Sequence, residues 1–190
     1  MKLLLFVLYS NSLFLGTDEL TDLHVEKVLN SPAIDGELNP RIIITAVDQE
    51  LILIDTENTG VTICEIPTID STRPVVEIIF DSVDIEIIPG GEKAIQKTIN
   101  VGRVLLAADI LGASSNMIEK AVEYSLERKQ FNRVIGSFQA VKHMCAEMAA
   151  DLEPCRSLLW YAAYAQDNID EEADLLSCHA KAHLSEIGQD

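Results

Sequence analysis

The sequence predicts an α+β protein in two parts: an antiparallel, small barrel-like β domain over residues 1–93, then an up-down α-helical bundle over residues 94–190. Three observations carry this. Short runs rich in β-branched residues, separated by turn signals, fill the first half. After Gly90-Gly91 the apolar period changes from two to 3.6. Beyond that point apolar residues recur at helical spacing over stretches longer than any ordinary strand.

Taken in order, strands are predicted over Leu3–Leu8, Arg41–Val47, Leu51–Thr56, Val61–Ile66, Val75–Phe80 and Val83–Ile88. Asn58-Thr59-Gly60 and Pro89-Gly90-Gly91 supply turns between them. The start, Met1-Lys2-Leu3-Leu4-Leu5-Phe6-Val7-Leu8, resembles a signal peptide, but Tyr9-Ser10-Asn11-Ser12 interrupts it and no small-residue cleavage site follows, so it reads as a buried strand. In Asp18–Asn39, Leu20, Leu23, Val25 and Val28 fit no single period and Asn30-Ser31-Pro32 breaks the pattern. That stretch reads as a loop or an insertion.

The first helix is expected from about Thr98 to Lys129, with Val104, Ala108, Leu111, Ser115, Ile118 and Val122 on its core face. Small residues at Ala107, Ala108, Gly112 and Ala113 would let a neighbour approach closely. Ser137 is placed as N-cap of a second helix, whose stripe runs Val141, Met144, Met148, Leu152, Cys155, Leu159 and Ala162. Pro154 should kink or split it, because proline lacks the N–H that the helix ladder uses. A third helix begins near Asp170, where Glu171 and Glu172 suit the positive end of the helix dipole.

A net charge of −17 on 190 residues repels a polyphosphate backbone, so nucleic acid is not an expected partner. No run of ~18 uninterrupted apolar residues occurs, and no membrane association is expected. The cysteines at 64, 145, 155 and 178 show neither a CxxC spacing nor a dense framework. Reduced thiols are expected, in the cytoplasm or, in a eukaryote, the mitochondrial matrix.

The strongest functional signal is Tyr124-Ser125-Leu126-Glu127-Arg128-Lys129-Gln130-Phe131, followed by Phe138-Gln139-Ala140-Val141-Lys142-His143. A cationic pair and an aromatic ring end one helix, and a Gln starts the next. Such a corner can bind a phosphate and a planar ring, since Arg offers a permanent charge in a planar fork and a helix start offers free N–H groups. The plain alternative is a solvated helix end with Phe131 closing the core.

At these residues the chain resembles the acyl-CoA dehydrogenase family. The match runs from Val75-Val76-Glu77-Ile78-Ile79-Phe80-Asp81-Ser82-Val83 through Arg103, Ala107-Ala108, Gly112 and the Tyr124–Phe131 segment. It continues through Phe138-Gln139 and Ala146-Glu147-Met148-Ala149 to Ala180-Lys181-Ala182, an ordered series covering at least residues 75–190. The resemblance implies part of the family's middle β domain followed by the start of its C-terminal helical bundle. It implies FAD held at a subunit interface of a homo-oligomer, dimer or tetramer. Arg128, Gln130 and Phe131 would reach the adenosine diphosphate half of a flavin bound mainly by the neighbouring subunit, and Phe138 and Gln139 would make a second flavin contact. Arg103 matches an arginine at the acyl-CoA site, and Asn100 stands where the family often has Asp, which keeps a hydrogen-bonding group and loses a charge. Arg103 as an ordinary helix-start side chain stays open beside that. An electron-transferring flavoprotein is the implied acceptor.

The reaction implied is α,β-dehydrogenation of an acyl-CoA thioester, which needs a carboxylate to take the α-proton. No catalytic base is assigned. Gly102 occupies the position directly before Arg103 that carries it in a minority of relatives, and Asp109 lies nearly two turns further on. The chain alone is therefore expected to be inactive and to be a fragment, a split-gene product or a degenerate paralogue. His179 and His183 sit at i, i+4, a spacing used by metal sites, but a third convergent ligand is lacking and no metal is expected. A rival reading from another class is a non-catalytic helical assembly module, from which bound FAD would distinguish the flavoprotein.

Overall fold

A computed structural model of the chain describes residues 2–9, 12–13, 16–19, 25–30, 41–47, 49–67 and 75–189. The strands are β1 (Lys2–Tyr9), β2 (Ser12–Leu13), β3 (Gly16–Glu19), β4 (Val25–Asn30), β5 (Ile42–Val47), β6 (Glu50–Asp55), β7 (Val61–Ile66), β8 (Val75–Phe80) and β9 (Glu86–Ile88). Helix α1 (Gly91–Glu127) follows, then a short hairpin of β10 (Lys129–Gln130) and β11 (Arg133–Val134). A 3₁₀ turn over Ile135–Ser137 leads into α2 (Gln139–Asn168) and α3 (Asp170–Ile187).

Among the described residues, one antiparallel sheet runs β2-β1-β5-β6-β9, with β3 also paired to β1, and a second runs β4-β8-β7. Alternation sorts the side chains of the larger sheet. Ile43 faces Ile54 across β5 and β6, and Thr45 faces Ile52, so these share one face; Ala46 and Leu51 are paired on the other. The first face packs against Ile78 and Phe80 of the smaller sheet to form the β core. The second is covered by Ile88 and by Ala94, Ile95 and Ile99 of α1. Compact packing accordingly divides the chain inside α1, one unit ending at Gly102 and the next starting at Arg103.

Two findings revise the expected β region. Asp18–Asn39 is not simply a loop: β3 covers its first residues, and β4 pairs along β8 from Val25↔Phe80 to Asn30↔Val75. The rest of that stretch, including residues 31–39, lies outside the described residues, as do Ser10 and Asn11. The last strand is confined to Glu86–Ile88. The Asn58-Thr59-Gly60 turn forms, and at Gly60, with φ of +107°, an added Cβ would lie 2.1 Å from the Asp81 carbonyl oxygen. Only glycine permits that conformation and approach together.

In the helical unit, α1 contributes Val104, Ala107 and Leu111 to a core shared with Leu152, Cys155, Leu159 and Ala162 of α2 and Ala180 and Leu184 of α3. Ala107, Ala162 and Ala180 are all fully buried, which is how three helices come close together. The inward face differs by one position from the expected one: Ala107 is buried, Ala108 and Ala113 are exposed, and a Cβ on Gly112 would meet open space. The helix also starts at Gly91, earlier than Thr98, because its first turns have the sheet to pack on. By length and composition α1 could cross a membrane, with an 18-residue window of mean hydropathy 1.2. Its larger inward side chains are buried against α2 and α3.

Helix α2 runs unbroken through Pro154, so of the two expected outcomes, a kink or a split, the split does not occur. Its stripe is buried from Leu152 to Ala162, whereas Met144 is exposed and Val141 and Met148 are half-buried. Ser137 does not cap α2; it sits in the 3₁₀ turn, where its hydroxyl donates to the Val134 carbonyl at 2.7 Å. The α2–α3 corner is tied by buried Gln166, whose amide donates to the carbonyls of Ala162 and Ala173 at 3.1 and 3.0 Å. Tyr161 donates to Glu172 at 2.8 Å, and the carboxylate holds the phenol above its usual pKa. α3 does begin at Asp170 with three acids in its first turn.

The four thiols are free, and their settings differ. Cys155 is fully buried, and desolvation pushes its thiol above the usual range. Cys64 is exposed. Reaction with a thiol reagent under native conditions is expected to label Cys64 promptly and Cys155 only on unfolding, because the thiolate is the reactive form. Peptide mapping after timed alkylation checks this; equal labelling of both would contradict the packed core around Cys155.

Candidate functional site

The corner predicted from the sequence is a built turn. Arg128 N–H donates to the Tyr124 carbonyl at 2.9 Å, closing α1, and the Arg128 carbonyl accepts from Ile135 N–H at 2.8 Å, closing the hairpin. Lys129 pairs with Val134 and Gln130 with Arg133, so Phe131 and Asn132 form a two-residue loop. Both have positive φ, 51° and 62°, which is the twist that a tight hairpin requires. A phenylalanine in that conformation costs about 1–2 kcal/mol. Gly136 then lets the 3₁₀ turn close on α1, since an added Cβ would lie 3.0 Å from both Ser125 oxygens.

Phe131 does not close a core. It is 85% exposed, which removes the plain alternative for this residue. Its ring meets Phe138 with centroids 6.1 Å apart and planes at 84°. The guanidinium carbon of Arg133 lies 4.0 Å from the Phe138 centroid, a cation–π contact. Arg128, Gln130 and Gln139 are exposed, and Phe138 is half-buried. Phe138 is also the N-cap residue of α2 and provides no side-chain cap, so the N–H groups of the first helical turn point out of the helix without an intrahelical acceptor. The structure therefore brings Phe131, Phe138 and the start of α2 together, with Arg128 at the base of the hairpin.

Sequence reasoning missed Arg133, and a charge count along the chain could have found it. Arg128, Lys129, Arg133 and Lys142 are four of the 14 cations of a chain with 31 acids, and no acid lies between Arg128 and Glu147. The most basic segment of an acidic protein thus coincides with its aromatic hairpin. Chemically, such a corner suits a polyphosphate carrying a planar ring.

Arg103 and Asn100 lie elsewhere on α1. Arg103 is well inside the helix, not at its start, and donates to Asp174 of α3 at 3.1 Å. Asn100 is 4% exposed, and its side-chain oxygen accepts from Gln96 at 2.9 Å. At 1.5 Å per residue, Arg103 and Arg128 stand roughly 35 Å apart along the helix axis, too far to serve one small-molecule site within one chain. Gly102 is buried, and Asp109 is exposed on the helix surface. His179 and His183 lie with ring centroids 6.1 Å apart and planes tilted by 53°, and among the described residues no group of three His, Cys, Asp or Glu converges on one point.

The fold and the corner define a class. A family model for the C-terminal domain of acyl-CoA dehydrogenase matches residues 90–190, and the chain belongs to the acyl-CoA dehydrogenase family. It is similar to a 3-(aryl)acrylate reductase of Clostridium sporogenes, 40% identical over 90 residues, covering 47% of this chain and 24% of that protein. It is likewise similar to the CarC subunit of a caffeyl-CoA reductase-Etf complex of Acetobacterium woodii, 38% identical over 91 residues, covering 48% and 24%. The matched stretch thus spans about a quarter of each relative. Among solved structures, butyryl-CoA dehydrogenase from Megasphaera elsdenii superposes with a TM-score of 0.66 at 21% identity, over 84% of this chain and 42% of that one. A chain from work on the electron-transferring flavoprotein of Acidaminococcus fermentans gives 0.72 at 22% identity, over 97% and 50%. At those identities the structural likeness shows the fold, which is the α+β arrangement expected from the sequence.

Proposed function

We propose that this chain contributes the dinucleotide-gripping corner of an FAD-dependent oxidoreductase that acts on the α,β bond of acyl-CoA thioesters. The observation that carries it is the coincidence of Arg128, Lys129 and Arg133 with the Phe131–Phe138 ring pair on an otherwise acidic chain. These residues fit the adenosine diphosphate half of FAD: cations for the pyrophosphate, an exposed ring for a planar base, and amide groups at the start of α2. Arg128 is the leading phosphate contact, Gln130 and Gln139 supply hydrogen bonds, and Phe131 and Phe138 supply ring contact. When bound, the flavin supplies the hydride acceptor at N5.

Arg103 and Asn100 are assigned to the acyl-CoA side, with Arg103 exchanging its Asp174 partner for the ligand. The roughly 35 Å between Arg103 and Arg128 supports an oligomer in which one chain's corner holds the flavin used by its neighbour. Two relatives are named as a 3-(aryl)acrylate reductase and a subunit of a caffeyl-CoA reductase-Etf complex, so the proposal names the bond and not the direction. A relative named as part of an Etf complex supports an electron-transferring flavoprotein as partner. The required base is not assigned to this chain, since Gly102 has no side chain to offer and Asp109 is turned elsewhere on α1.

Titration of the chain with FAD, followed by flavin fluorescence, tests the reading. Saturable quenching is expected, together with no bleaching of the flavin when straight- or branched-chain acyl-CoA is added anaerobically. Absence of any FAD binding would leave the helical assembly module as the better account, and rapid bleaching would make Asp109 the base.

A further inference from the structure

The reading above uses Arg133 only as one of three cations, although its guanidinium lies over a ring of the corner. Its guanidinium carbon stands 4.0 Å from the centroid of Phe138, whose ring in turn meets Phe131 at 84°. Phe131 needs such a brace. It is 85% exposed at the tip of a two-residue loop, and an exposed aromatic side chain otherwise exchanges rotamers on the picosecond-to-nanosecond scale. Phe138, by contrast, is half-buried and fixed at the start of α2, where its own N–H donates to Ile135 at 3.0 Å. No acid between Arg128 and Glu147 competes for Arg133 within its own segment. Phe138 is therefore the shared partner of the Arg133 guanidinium and of the Phe131 ring.

We propose that Arg133 is the positioning residue of this corner: by holding Phe138 it sets the orientation in which Phe131 is offered to the planar ring of a bound dinucleotide. The proposal rests on the dinucleotide reading for its ligand, but the positioning itself is a property of the free chain. Its role is distinct from that of Arg128, which acts as a charge on phosphate. The chain of contacts also predicts coupling, since the part of the influence of the Arg133 side chain that passes through Phe138 is lost when that ring is removed.

A double-mutant cycle on the full chain, comparing wild type, Arg133→Met, Phe138→Leu and the double variant, tests this with two readouts. In the free protein, NMR should show the Phe131 ring resonances moving to a similar extent in each single variant and no further in the double. Arg133→Lys, which keeps the cation over the ring, should restore most of the wild-type shifts. Phe131 resonances unmoved by Arg133→Met, or additive changes, would overturn the positioning role. With ADP as probe, Arg133→Met should weaken binding by about two- to fivefold, the size of an exposed cation–π contact, and Arg133→Lys should recover it. The same loss in the Phe138→Leu background would make Arg133 a plain point charge and would also overturn the proposal. If wild type fails to bind ADP, the dinucleotide reading falls, and the resonance arm alone decides the role of Arg133.

Discussion

Arg128→Ala is expected to weaken FAD retention in the assembled enzyme by about ten- to a hundredfold, while Arg103→Ala leaves it nearly unchanged and weakens acyl-CoA binding instead. A charge-assisted hydrogen bond to pyrophosphate is worth roughly 1.5–3 kcal/mol, which sets the size of the first effect. Arg128 closes α1 through its backbone N–H and the hairpin through its carbonyl, and those bonds survive the substitution, so the loss should report the side chain alone. Arg128→Lys should recover part of the affinity, because a point charge keeps the attraction and loses the planar fork. Flavin fluorescence titration reads all three variants. Equal FAD affinity in wild type and Arg128→Ala would remove the phosphate assignment.

The largest expected loss of stability is at Leu184. Its side chain is fully buried in the helical core beside Leu111, Leu152 and Leu159, where α1, α2 and α3 meet. Leu184→Ala removes that volume from a site walled by three helices, so little collapse is available, and about 2–5 kcal/mol is expected. The corresponding fall in Tm is on the order of 5–15 °C. Leu175→Ala on the same helix is the control: that side chain is 70% exposed, and its loss should stay within about 0.5 kcal/mol. Urea unfolding of both variants tests the comparison, and equal destabilisation would contradict the packing of α3.

What was legible in the sequence follows from the range of the forces involved. Strands β5 to β8 are visible because alternation and turns such as Asn58-Thr59-Gly60 are local. β4 is not, since Val25, Val28 and Leu29 fit no clear period and the strand is defined by its register with β8, some fifty residues later in the chain. On α1, Val104 and Leu111 are buried as expected and only the alanine between them differs, because Ala107 and Ala108 are chemically identical and the neighbouring helices decide which is buried. At Ser137 two local hydrogen bonds competed, and the one back to Val134 prevailed over a cap on α2. In the candidate site, the motif pointed to Arg128, Gln130, Phe131, Phe138 and Gln139, whereas Arg133 depends on a hairpin and a 3₁₀ turn that bring it over Phe138.

The length of α1 has a genetic consequence. With Arg103 and Arg128 roughly 35 Å apart along the helix axis, the proposed arrangement, in which each corner serves the flavin of a neighbour, would put lesions at the two positions in different active sites of one oligomer. Two chains, one carrying Arg103→Ala and the other Arg128→Ala, would then be defective alone and yet assemble between them one site with both arginines intact and one with neither. Mixed assemblies would then hold flavin and acyl-CoA together in one site, which neither parent does, so the unit on which such a mutation acts is the pair of chains and not the polypeptide that carries it.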